Sequence, residues 1–158
     1  MHRFVILSAL AACHPTPRPP AIHAELIYAA TQGYGVQPAG QDKGTVYAFV
    51  KIDAASATRL GVTSLSLQRD GAVCAHATTA PKLARVDRVT KDTASQALTL
   101  DALAHGTPFD GTVTAGSNYL RIAVEVDHAC SGNSEPTLAV TLDTGETLLH
   151  SVDEQMPS

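Results

Sequence analysis

From residue 45 onward, apolar and polar side chains alternate in short runs, each bounded by Gly, Asp or Pro. A period of two gathers the apolar set on one face of an extended chain, so the pattern predicts strands. The runs cover residues 45–52, 62–68, 72–78, 84–90, 96–100, 119–126, 137–142 and 146–152, with a further run at 25–29. Residues 93–105 also fit a helix, since Ala94, Leu98 and Ala102 share a helical face. Leu98-Thr99-Leu100 alternates, however, and the surrounding strands favour a strand there too. About seven to nine strands, with the strand preferred over the helix at 93–105, predict an all-β domain, an antiparallel sandwich or barrel.

The turns sharpen the pairing. Asp70-Gly71 is a two-residue hairpin turn, because both residues tolerate positive φ. Counting outward pairs Gln68 with Val73, Leu67 with Cys74 and Leu65 with His76, which aims Cys74 and His76 at the core beside Leu65 and Leu67. If the run at 119–126 stays extended, His128 and Cys130 keep the inward parity of Leu120, Ile122, Val124 and Val126. Asp143-Thr144-Gly145 reads as another hairpin loop and not as a calcium loop.

The N-terminus has a different character. Met1-His2-Arg3 precedes a compact apolar stretch, Phe4 to Leu10, and then the small residues Ala11 and Ala12 before Cys13. That is the layout of a secretory signal. The segment Leu10-Ala11-Ala12-Cys13 resembles the lipobox of bacterial lipoproteins. The resemblance implies cleavage just before Cys13, a diacylglycerol on its thiol, and an acylated new N-terminus. Several acyl chains, at about 0.8 kcal/mol per buried methylene, would make such an anchor effectively permanent. An Asp after the Cys often favours inner-membrane retention in that family. His14 stands there instead, which implies the outer membrane. The simpler alternative is an ordinary signal cleaved at small residues. His14-Pro15-Thr16-Pro17-Arg18-Pro19-Pro20 cannot continue a helix and reads as an extended spacer of about 3 Å per residue. The chain thus divides into a leader at 1–12, a lipid-bearing Pro-rich tether at 13–23 and a β domain at 24–158.

Composition narrows the function classes. Hydrophobic residues make up 44% and charged residues 16%, a balance that folds. A net charge of −4 with only 11 basic residues, none in a patch, argues against nucleic acid as a partner. Trp is absent and Tyr and Phe are scarce, which counts against stacking platforms for bases or sugars. Beyond the leader no apolar run nears the roughly 20 residues that span a bilayer, so membrane association is assigned to the N-terminal lipid.

Gly116 to Val126 resembles strand F of fibronectin type III and related immunoglobulin-like domains, which opens with a Gly-rich turn and a Tyr that clamps a preceding corner. The resemblance implies an immunoglobulin-like sandwich and no particular function. In that family the Tyr shares the face of the later apolar residues. Here Tyr119 has the opposite parity to Leu120.

Three cysteines occur, and lipidation of Cys13 leaves Cys74 and Cys130 as an even pair. In an exported chain that pair is expected to form an inward-facing disulfide. The alternative is metal. Cys74-Ala75-His76 and His128-Ala129-Cys130 are mirror images, and in-register antiparallel strands would gather two thiolates and two imidazoles for zinc or copper. A blue-copper site fits worse, since His150 and Met156 lie far beyond Cys130. No nucleophile elbow, phosphate loop, zinc-protease helix or dinucleotide fingerprint is present. Asp101, Asp110, Glu125 and Asp127 fall in turns and alternating strands, where carboxylates are ordinarily solvated. The sequence therefore points to a non-enzymatic, cofactor-free β-sandwich, lipid-anchored in the cell envelope, that binds an envelope protein or gives structural support. A metal-handling lipoprotein using Cys74, His76, His128 and Cys130 is the second reading.

Overall fold

The computed structural model describes residues 21–32, 44–100, 106–127, 130 and 134–154. The leader, Cys13, the tether up to Pro20, His128 and Asp101 lie outside the described residues. Among the described residues twelve strands and one helix follow in order: β1 (Ile22–Gln32), β2 (Gly44–Ala54), β3 (Thr58–Arg59), β4 (Val62–Arg69), β5 (Ala72–His76), β6 (Lys82–Val86), α1 (Lys91–Leu100), β7 (Thr107–Pro108), β8 (Thr112–Val113), β9 (Gly116–Val126), β10 (Thr137–Leu142), β11 (Thr147–Ser151) and β12 (Asp153–Glu154).

Two sheets pack face to face. One has the order β12-β1-β2-β9-β6-β7, the other β11-β10-β4-β5, and β3-β8 forms a small ribbon. Every pairing is antiparallel except the two-residue contact of β12 with β1. The chain is an all-β sandwich. The strands of five or more residues overlap the runs that alternation marks, β6 only in part.

Cross-strand pairs build the core. Val46, Ala48, Val50 and Ile52 of β2 stand opposite Val124, Ile122, Leu120 and Asn118 of β9. On β1, Ala24, Leu26 and Ala29 face Ile52, Val50 and Ala48, with a bulge at Leu26/Tyr28 that restores the inward parity. The second sheet answers with Leu65 and Leu67 of β4 opposite Val140 and Leu138 of β10. All of these apolar side chains are buried in one cluster. Each fully buried Leu, Ile or Val contributes about 1.5–3 kcal/mol relative to exposure.

The outer faces differ. On the four-stranded sheet, Ser64, Ser66, Gln68, Thr137, Thr141, Thr147 and Ser151 point to solvent with Val73 and Leu149. On the six-stranded sheet, Tyr28, Ala30 and Phe49 are buried in a second cluster with Val89 and Ala94, against which Val86 and Tyr119 pack. Tyr119 therefore belongs to the layer under α1 and clamps no corner on the core side. This is the structural meaning of its parity.

The strand expected at 96–100 is helix instead, and the strand expected at 84–90 ends at Val86. The reason lies at Thr90. Its backbone N–H donates to Thr93 Oγ1 at 2.7 Å and its own Oγ1 accepts from the Thr93 N–H at 3.4 Å. This reciprocal cap starts the helix, and Asp92 adds a carboxylate to the first turn. Ala94 then packs fully buried on the outer face of the sheet. Local capping plus that burial outweigh three residues of alternation.

Candidate functional site

Cys74 and Cys130 form a disulfide, with Cα atoms 5.3 Å apart. Cys74 lies on the edge strand of one sheet, and Cys130 follows the last residues of β9 in the other. The bridge ties the two sheets at a corner. The chain after β5 crosses at the same corner. Ala77 bridges Val126, the Asp127 N–H donates to the His76 carbonyl at 3.0 Å, and the Thr78 N–H donates to the Glu125 carbonyl at 2.8 Å. Arg69 donates to the Cys130 carbonyl and Ser134 Oγ to Asp70 Oδ1, so the β4–β5 hairpin holds the segment after β9 from its other side. The turn is Asp70-Gly71 with both φ positive, at 51° and 78°, as its sequence requires.

The expected register beyond that turn needs correction. Gln68 does face Val73, but a bulge follows, and Leu67 pairs with Ala75 and Ser66 with His76. Cys74 is the extra residue of the bulge. Ala75, not Cys74, is buried beside Leu67, while Cys74 sits half-buried against the core with its bridged Sγ 3.4 Å from the Leu67 carbonyl oxygen. His76 shifts to the solvent side with Ser66 and is exposed. A one-residue slip turns every later side chain over, which is why the inward placement of His76 fails. The Cys/His quartet loses the common face it requires. Both sulfurs are spent in the bridge, and His128 lies outside the described residues. No His, Cys, Asp or Glu cluster suited to a metal ion occurs among the described residues.

The carboxylates are dispersed. Asp110 Oδ1 accepts from the Thr112 N–H at 2.9 Å and lies 3.9 Å from Arg85. Asp127 accepts from the His76 N–H at 2.9 Å. Each has a local structural partner, and they do not converge with Glu125 on a common point.

A concave site does exist on the outer face of the six-stranded sheet. It measures about 300 Å³ and is lined by side chains from three strands and one loop: Thr45 and Tyr47, Arg121 and Glu125, Lys82, and Thr79. Register explains the gathering. Tyr47 and Lys82 both stand opposite Ala123, while Arg121 faces Phe49 and Ala84, and Thr45 faces Glu125. Ala123 in the middle is small, so the larger neighbours rise around it as walls. Where α1 covers the sheet the same face is apolar, through Tyr28, Phe49 and Tyr119. Beyond that cover it turns polar. Sequence alternation labels Arg121, Ala123 and Glu125 simply as the solvated side of β9. Only the neighbouring strand order brings Lys82 beside them.

The chain matches no protein-family model and no curated protein. Among the described residues no helix is long and apolar enough to cross a membrane.

Proposed function

We propose that this chain is an exported lipoprotein, anchored through Cys13, whose β-sandwich serves the cell envelope as a non-catalytic binding or structural module. The observation that carries this reading is the cysteine partition. Cys74 and Cys130 close on one another across the two sheets, which leaves Cys13 as the odd cysteine, preceded by Leu10-Ala11-Ala12 and followed by a Pro-rich spacer. An intersheet disulfide fits an oxidising compartment. A lipid thioether fits the cysteine that this pairing leaves over and the Pro-rich tether behind it.

A non-catalytic role accords with the separate local partners of Asp110 and Asp127. The metal-handling alternative needs two thiolates, and the oxidised pair offers none.

Membrane partition tests the anchor. The wild-type chain, expressed in a bacterium that processes lipoproteins, is expected in the detergent phase after phase separation, and Cys13→Ala in the aqueous phase. Equal partition of the two proteins would refute the anchor at Cys13.

A further inference from the structure

We infer that the groove centred on Ala123 is a binding site for a small oxyanion, a carboxylate or phosphate group held by Arg121 and Lys82. This names a ligand class for the binding module proposed above.

Three observations carry it. First, neither cation forms an ion pair with a described residue: the ion pairs among the described residues are Lys51 with Asp53 and Arg85 with Asp110. Second, Arg121 Nε is shielded from solvent and has no hydrogen-bond partner. A buried donor of this kind costs about 1–3 kcal/mol when left unmade, and a turn of the Arg121 side chain onto an anion in the groove would remove that cost. Third, the concavity is of the size of small-ligand sites and has Tyr47 as an aromatic wall with Thr45 and Thr79 as hydroxyl donors. An Arg fork and a Lys point charge on adjacent strands are a common pairing for an oxyanion.

Glu125 gives the site its selectivity. Its carboxylate stands on the wall beside Thr45 and repels an anion that fills the whole groove. An anion that also carries a hydroxyl group offers Glu125 a donor and turns the repulsion into a hydrogen bond.

The test uses the full-length protein in detergent, titrated with inorganic phosphate or with citrate at constant ionic strength and followed by amide chemical shifts. Saturable shifts centred on Tyr47, Ala123 and Lys82 are expected with at least one probe. Arg121→Gln and Lys82→Gln should each weaken that binding by about tenfold. Glu125→Gln should strengthen phosphate binding, because it removes the like charge. Lys82 is exposed, so its variant keeps the test open if Arg121→Gln does not fold. Absence of saturable shifts with both probes overturns the site, as does unchanged affinity in Lys82→Gln. The membrane partition of Cys13→Ala is read separately, so failure of the anchor and failure of this site are distinguishable.

Discussion

Arg85 donates from Nη1 to Oδ1 of Asn118 at 3.1 Å, and this pair closes the end of the sandwich. Asn118 stands opposite Ile52 on the core face of β9, where alternation calls for an apolar residue. It is buried and fully used. Its Oδ1 also accepts from the backbone and hydroxyl of Thr114, and its Nδ2 donates to the carbonyls of Thr114 and Gly116. Arg85 adds a bond from Nη2 to the Thr112 carbonyl at 2.6 Å and lies 5.6 Å from the Phe109 ring centroid. Together they fasten the chain from Phe109 to Gly116 onto the sheet.

Asn118→Ala therefore removes one hub and leaves several buried groups unmatched. The expected loss is about 2–4 kcal/mol of folding free energy, measured by urea denaturation. A loss below about 0.5 kcal/mol would mean that the network is solvated and incidental.

The disulfide closes a separation of 56 residues. In the chain-entropy view this restricts the unfolded state by about 4 kcal/mol. The double variant Cys74→Ser/Cys130→Ser is expected to lose stability on that scale in the same denaturation assay. The wild-type protein treated with reductant should follow it. Equal stability of oxidised and reduced protein would show that the native corner is held without the bridge.

Gly106 sits where a Cβ would lie 2.6 Å from the Arg85 carbonyl oxygen and 2.9 Å from the Ala84 Cβ. The close approach is to backbone, which cannot swing aside. Gly106→Ala is expected to cost about 1–3 kcal/mol, read as a lower thermal midpoint. Gly71→Ala, with open space around its Cβ but a φ of +78°, should cost less and through backbone strain alone. Equal thermal midpoints for Gly106→Ala and wild type would contradict the packing of Gly106 against β6.

Lys51 and Asp53 lie 2.8 Å apart on the outer face of β2, and Ser117 Oγ donates to Asp53 Oδ1. The Lys51 hydrogen bond, then that of Ser117, holds the Asp53 carboxyl below its ordinary value, and the Asp53 hydrogen bond raises Lys51. The sign follows. The Asp53 contribution is complete above the ordinary carboxylate value of about 3.9 and is lost as pH falls through the lower folded value. The Lys51 contribution is complete below about 10.4 and is lost as pH rises through its higher folded value. A carboxyl-carbon titration should place the Asp53 midpoint below that of an exposed Asp. Lys51→Gln should move it up further than Ser117→Ala does. An ordinary midpoint in the wild type would contradict the pair.

The sequence makes the strands legible because each carries its own face, as Leu65/Leu67 and Leu120/Ile122/Val124/Val126 do. The Asp70-Gly71 turn is legible for the same local reason. What the sequence hides is set by neighbours. The bulge that turns Cys74 and His76 over depends on how β4 and β5 settle against the corner. The helix at Lys91 was signalled by Thr90 and Thr93, a cap that alternation in the next residues masked. The groove is the least legible feature. Arg121 and Lys82 are 39 positions apart, and each alone reads as an ordinary solvated charge. Only the adjacency of β6 and β9 makes them a pair.

The central claim joins a lipid at Cys13 to a disulfide between Cys74 and Cys130, and the intact mass of the mature protein tests both at once. The expected protein begins at Cys13, carries the added mass of a diacylglyceryl group and an acyl chain, and gains two hydrogens on reduction. A mass that retains residues 1–12, or one that shows an unmodified Cys13, or one that does not change on reduction, would contradict the account.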